Sequence, residues 1–327
     1  MMTENTALHK LANMVVATCN STPADFGLLK GKLGAAVFLL HYARYSKNDR
    51  YILYANELLE FIQDNLINYY SKKINPYVID AGIVLNYIVS EKFDDNNLDD
   101  LLNDVDYLLF SRIDNKNILY LANQELIFIG KYFLIRIDAT PTSVIHKLHI
   151  DALNRIVEII KIHLKSITIC NPAIVKFLYC ASKVLTEKSI VPLLMKQLNY
   201  YPNKTEWSRS VIPNWHTTFF NPKDNKLLKD IIIKEIVENS SKYLNINRSD
   251  LLSDGTSGFI TWINLLSDDL QEEKYIEMKN SAVKKIVSNI DCCKITTDIS
   301  IYFGCSGIGL TLLSCLDNKC NKWIQLL

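Results

Sequence analysis

GCSGIGLTLLSCL, residues 304–316, sets three glycines at the head of an unbroken apolar run. A helix interior disfavours glycine by about 1 kcal/mol relative to alanine. The chain holds only ten glycines, so their clustering is informative. Four other runs share this build: GKLGAAVFLLHYA from Gly31, AGIVLNYIV from Ala81, FIGKYFLIRI from Phe128 and GTSGFITWINLL from Gly255. The spacing Gly-x-x-Gly recurs at 31/34, 255/258 and 304/307, while Gly82, Gly130 and Gly309 hold an equivalent later place. Helix starts without side chains let neighbouring helix ends crowd around an axis, so the first role expected of these glycines is packing.

Between the glycine-led runs lie segments with one apolar face. YILYANELLEFIQDNLINYY (51–70) aligns Leu58, Leu59, Ile62 and Leu66, and HKLHIDALNRIVEIIKIHL (146–164) aligns Leu153, Ile156, Val157 and Ile160. The alternation predicts outer helices near 5–19, 51–70, 98–110, 146–164, 188–200, 227–244 and 272–290. It predicts apolar inner partners near 31–45, 80–90, 120–137, 172–186, 215–221, 255–267 and 304–316. Seven pairs at a spacing of roughly 40 to 50 residues fit a helical-hairpin repeat. No Pro- or Gly-rich linker interrupts the series, so residues 1–327 read as a single domain. The inner runs are apolar on more than one face, which favours an all-α toroid of about seven inner and seven outer helices over an open solenoid.

Composition narrows the function classes. Lysine plus arginine (36) nearly balance aspartate plus glutamate (35), so no net field favours a nucleic acid or an anionic membrane. The N-terminal MMTENTALHKLANMVVATC lacks a basic leader and a long apolar core, and no apolar run reaches about 18 residues, which predicts a cytoplasmic chain with no membrane insertion. The eight cysteines include no C-x-x-C pair and are expected as reduced core residues.

The run Gly27-Leu28-Leu29-Lys30-Gly31-Lys32-Leu33-Gly34 resembles the Gly-Leu-x-x-Gly-x-x-Gly signature of lanthionine synthetase C-like (LanC-like) proteins. So does Gly304-Cys305-Ser306-Gly307-Ile308-Gly309, followed by a closing Trp323-Ile324-Gln325-Leu326-Leu327. Ala81-Gly82-Ile83 with Asn86-Tyr87, and Ile129-Gly130-Lys131-Tyr132-Phe133, look like further repeats. The resemblance implies an α/α toroid and a role in lanthipeptide maturation, a branch of ribosomal peptide natural product biosynthesis. The family's enzymes use zinc to activate a peptide cysteine thiolate, which adds to a dehydrated residue and closes a thioether ring. The metal is held by two cysteines and a histidine.

Those ligands are not kept. The Trp-Cys-Tyr-Gly motif of the family falls on Trp215-His216-Thr217-Thr218, and its Cys-His-Gly motif falls on Ser253-Asp254-Gly255. His216 and Asp254 remain as weak metal candidates, and Ser253 is a poor third ligand. Asp254, ahead of a Gly-led helix, also suits an N-cap. Trp215, Gly255 and Cys305 are candidates to line the axial cavity, Cys305 with a thiol activated by the helix start if exposed or as a small packed residue if not. The resemblance therefore implies a zinc-less pseudoenzyme with no resident cofactor, a scaffold whose partners are a precursor peptide and other maturation enzymes. A residual thioether-forming cyclase is one alternative. Another is a toroidal glycosidase, which needs two carboxylates across a cavity; Asp80, Glu125 and Asp254 stand near predicted inner-helix starts, where each would also serve as an N-cap. His41, His146, His149 and His163 follow helix faces and are expected to satisfy local hydrogen bonds.

Overall fold

The computed structural model describes residues 2–19, 21, 25–67, 76–114, 118, 119, 121–139, 145–164, 172–185, 190, 244, 245, 249–253, 255–265, 273–292, 294 and 296–326. The described residues are helical, with no strand among them. In chain order the helices are α1 (Glu4–Thr18), α2 (Lys32–Ser46), α3 (Arg50–Ile67), α4 (Pro76–Ser90), α5 (Leu98–Asp114) and α6 (Asn123–Ala139). They continue with α7 (His146–Leu164), α8 (Pro172–Val184), α9 (Thr256–Leu265), α10 (Glu273–Asp291) and α11 (Cys305–Leu316), and a 3₁₀ segment spans Asn318–Leu326. The predicted helix at 215–221, and nearly all of those at 188–200 and 227–244, lie outside the described residues. No described helix is long and apolar enough to cross a membrane.

Local chemistry explains the ends. Thr3 caps α1 by accepting the Thr6 N–H at 3.3 Å, and Glu4 places a negative charge in the first turn. Helix α4 starts at Pro76, four residues ahead of the predicted boundary, because proline is preorganised for the first helical position and its missing N–H costs nothing there.

Two kinds of helix follow from the sequence pattern. In α7 one stripe is buried, built from His149, Ala152, Leu153, Ile156, Val157, Ile160 and Leu164. In α2 and α11 burial runs round the helix, from Lys32 through Ala43 and from Cys305 through Ser314. Fully burying a Leu or Phe stabilises by about 1.5–3 kcal/mol, so these two helices carry much of the packing free energy. The buried helices are neighbours in the series α8, α6, α4, α2, α11, α9, while α1, α3, α5, α7 and α10 pack alongside them.

Glycine makes the close contacts of this series possible. A Cβ on Gly82 of α4 would fall 2.7 Å from the Tyr132 ring of α6, one on Gly130 of α6 would fall 2.3 Å from the Phe177 ring of α8, and one on Gly309 of α11 would fall 2.3 Å from the Phe38 ring of α2. Each ring seats in a notch that any side chain would fill. The contact between α11 and α2 thus repeats those between α4 and α6 and between α6 and α8.

Among the described cysteines, Cys19, Cys305 and Cys320 are buried free thiols and Cys180 and Cys315 are half-buried. Cys292 departs from the core expectation: it follows the end of α10 and is exposed. Cys170 and Cys293 lie outside the described residues.

Candidate functional site

Three segments entering the buried helices share one construction: DFGLLKGKLG at 25–34, SDLLSDGTSG at 249–258 and DISIYFGCSG at 298–307. In each, the side chain of the first residue accepts the backbone N–H two positions on: Gly27 to Asp25 Oδ1 at 2.9 Å, Leu251 to Ser249 Oγ at 3.1 Å, Ser300 to Asp298 Oδ1 at 2.7 Å. The carbonyl of that same residue accepts the first helical N–H, from Lys32 at 3.0 Å, Thr256 at 3.0 Å and Cys305 at 2.7 Å. The fourth residue, Leu28, Leu252 or Ile301, plugs the core. The loop folds so tightly over its helix that a Cβ on Gly31, Gly255 or Gly304 would lie 2.2, 2.3 or 2.3 Å from a carbonyl oxygen six residues earlier. None of the described glycines has a positive φ. The leading glycines therefore make room for their own loops rather than for a neighbouring helix end, which refines the packing role expected of them.

The loops are laced to one another through equivalent positions. The Ser253 N–H donates to the Tyr302 carbonyl at 3.1 Å, and the Tyr302 N–H donates to the Leu29 carbonyl at 2.9 Å. One residue before Leu29, the Leu28 N–H donates to Asp80 Oδ2 of α4 at 2.9 Å. A polar track thus runs from the loop before α9, across those before α11 and α2, to α4.

Beside that track Asp80 lies within electrostatic range of Lys131. Burial raises the Asp80 carboxyl above its ordinary range, with Asp25 adding to the rise while the Leu28 N–H and Lys131 oppose it. Burial pushes the Lys131 ammonium of α6 down to about 8, with Asp80 and Cys180 of α8 pulling the other way. Lys131 Nζ also donates to the Leu326 carbonyl at 2.7 Å. Asp80 and Lys131 are both half-buried. A carboxyl raised above its ordinary range near an amine with a lowered proton affinity is a polar pair suited to hydrogen bonding with a peptide backbone.

The residues singled out from sequence fare differently. Ser253 is buried in the laced track, and Gly255 forms the tight turn onto α9. Cys305 takes the packed alternative: it is 1% exposed, its Sγ donates to the Thr296 carbonyl at 2.9 Å, and burial, aided by Asp298, pushes the thiol up to about 12. The helix start does not activate it, because desolvation of the thiolate outweighs the favourable dipole. Trp215, His216 and Asp254 lie outside the described residues, and with Asp254 the capping role expected of it.

Asp80 is corrected as an N-cap, since α4 begins before it and places it in the second turn. Glu125 stands in the first turn of α6, but its carboxylate pairs with Arg112 of α5 at 3.0 Å. No described contact joins Glu125 to Asp80. His41 Nε2 lies 2.6 Å from the Tyr87 hydroxyl and His163 Nδ1 lies 2.7 Å from Asn123 Oδ1, as expected; His149 Nε2 makes a charge contact with Asp106 Oδ2 at 3.2 Å, and among the described residues the buried His146 Nδ1 finds no hydrogen-bond partner, against the expectation.

Lys131 and Cys180 were missed by reading motifs. Lys131 had a usable signal, a single cation in the middle of the apolar run FIGKYFL. Of the three positions the resemblance assigns to zinc, only Ser253 is described, and its hydroxyl is a poor donor where a soft thiolate would be needed. No family model matches the chain, and no curated protein matches it.

Proposed function

We propose that this chain is a single-domain LanC-like α/α toroid in which the zinc chemistry has been lost, acting in the cytoplasm as a peptide-binding scaffold for maturation of a ribosomally made peptide. The equivalent glycine-notch contacts of α4 with α6, α6 with α8 and α11 with α2 support a ring, since in a ring the last inner helix meets the first as consecutive inner helices meet each other. The observation that carries the functional reading is the laced rim itself. Its glycine-led loops are of the kind the resemblance implies, and Ser253, which the resemblance aligns with a zinc ligand, has its backbone committed to Tyr302. A scaffold needs the bowl and its polar lining, which Asp80 and Lys131 supply, and does not need a thiolate-bound metal.

The test is calorimetric titration with a precursor peptide encoded near the gene, in dehydrated and unmodified forms, together with elemental analysis of the purified protein. Equal affinity for both forms is expected, with fewer than about one zinc per ten molecules. Stoichiometric zinc with thioether formation would establish the cyclase instead, and absence of peptide binding would remove the scaffold reading.

A further inference from the structure

Lys32 is the first residue of α2, only 4% exposed, at a helix N-terminus where a cation is electrostatically disfavoured. Among the described residues no hydrogen-bond acceptor and no carboxylate engages its ammonium. Its one contact of that kind is with the Phe61 ring, whose centroid lies 4.6 Å from Nζ. The stem is packed away while the unpaired ammonium keeps contact with solvent by opening into a cavity of about 220 Å³ between α1, α2 and α3. Cys19 and Leu39 line its interior, and the partly exposed Tyr54 and Phe61, at 42% and 43%, flank it. The exposed Glu57 is also part of its lining.

We infer that this cavity binds a small organic monocarboxylate with an apolar body, held by an ion pair to Lys32. A carboxylate supplies the missing counter-charge, and the apolar and aromatic walls take the carbon body. The single cation and the negative Glu57 in the same lining disfavour a dianion such as phosphate. The volume suits a body the size of a phenyl or branched alkyl group. The site lies between α1, α2 and α3, apart from the laced rim, and does not depend on the peptide-binding reading.

The experiment is calorimetry on the full chain with phenylacetate and isovalerate, against phenylacetamide as the uncharged control and inorganic phosphate as the dianion. Saturable binding of at least one carboxylate is expected, with Kd below about 1 mM. It should weaken about tenfold or more in Lys32→Met, which keeps the aliphatic stem, and survive in Lys32→Arg. Phe61→Leu, at the partly exposed rim, should weaken binding severalfold without disturbing the core, so the inference can be tested even if position 32 does not tolerate change. The inference is overturned if neither carboxylate binds, if phenylacetamide or phosphate binds as well as phenylacetate, or if folded Lys32→Met and Phe61→Leu both bind unchanged.

Discussion

Two acid–base clusters are packed inside this protein, and they are built to opposite ends. Around Asp106, Tyr132 donates at 2.6 Å and Arg136 Nη2 at 2.9 Å, His149 Nε2 lies 3.2 Å away, and Arg136 also reaches Asp99 at 2.8 Å. Burial by itself raises the Asp106 carboxyl, but the bonds from His149, Arg136 and Tyr132 outweigh it and hold the group below the usual range. Around Asp80 the balance falls the other way: one backbone N–H and Lys131 do not overcome burial, and the carboxyl stays raised. The first cluster ties α5, α6 and α7 together through polar and charged groups converging on one carboxylate. The second brings fewer groups to its carboxylate, and the polar lining of the proposed bowl is placed there, at Asp80 and Lys131.

The sharpest way to break the contrast is Asp106→Ala. It leaves the fully buried Arg136 without its inner partner, and a loss of about 3–5 kcal/mol is expected in urea denaturation. Retention of full stability would mean that the Asp106 network is dispensable.

Lys131→Met should behave differently, stabilising by about 1–3 kcal/mol at pH 7, because an apolar side chain removes the cost of a buried ammonium. The pH dependence gives an independent reading. The folded pKa of Lys131 is lowered to about 8 from 10.5, so between those values the unfolded chain binds more protons than the folded one. Stability should therefore rise with pH across that window, by at most about 1.4 kcal/mol per pH unit, and this contribution should vanish in Lys131→Met. Melts of both proteins at pH 7.5, 9 and 10.5 check the sign; a contribution that falls across the window would show that Asp80 holds Lys131 as a stable ion pair.

The smallest effect calibrates the scale away from both clusters. Lys47 terminates α2 in the left-handed region, at φ 54° and ψ 39°. Lys47→Gly relieves the Cβ penalty of that conformation and should stabilise by about 1 kcal/mol or less, read as a small rise in melting temperature.

The sequence was most legible where period and composition agree. The predicted 146–164 coincides with α7 (His146–Leu164), because a strong apolar stripe ends in turn-forming residues on both sides. The glycine-led runs announced α2, α9 and α11 to within about two residues of their starts. The loop architecture was not legible, since its anchoring Asp25, Ser249 and Asp298 stand six residues ahead of the leading glycines and Asp and Ser are common in any loop. Nor could motif reading assemble Asp106, Arg136 and His149, which lie on three different helices and meet only through tertiary packing. Of the candidate site, Ser253 and Gly255 fall in the rim as ordinary buried elements, and Cys305 shows the usual ambiguity of a cysteine at a helix start, resolved here by desolvation.

The lacing of the loop before α11 to the loop before α2 also governs how the chain acquires its shape over time. Helix α2 buries nearly its whole circumference, and one part of that cover, with the notch at Gly309 that receives Phe38, belongs to a segment roughly 270 residues later in synthesis. During translation at about 5–20 residues per second, α2 leaves the ribosome well before its cover exists. At that rate its apolar surface waits about 14 to 54 seconds for α11, open meanwhile to non-native association. Among the buried helices, the contact of α11 with α2 spans the greatest sequence separation and so carries the largest loop-closure cost.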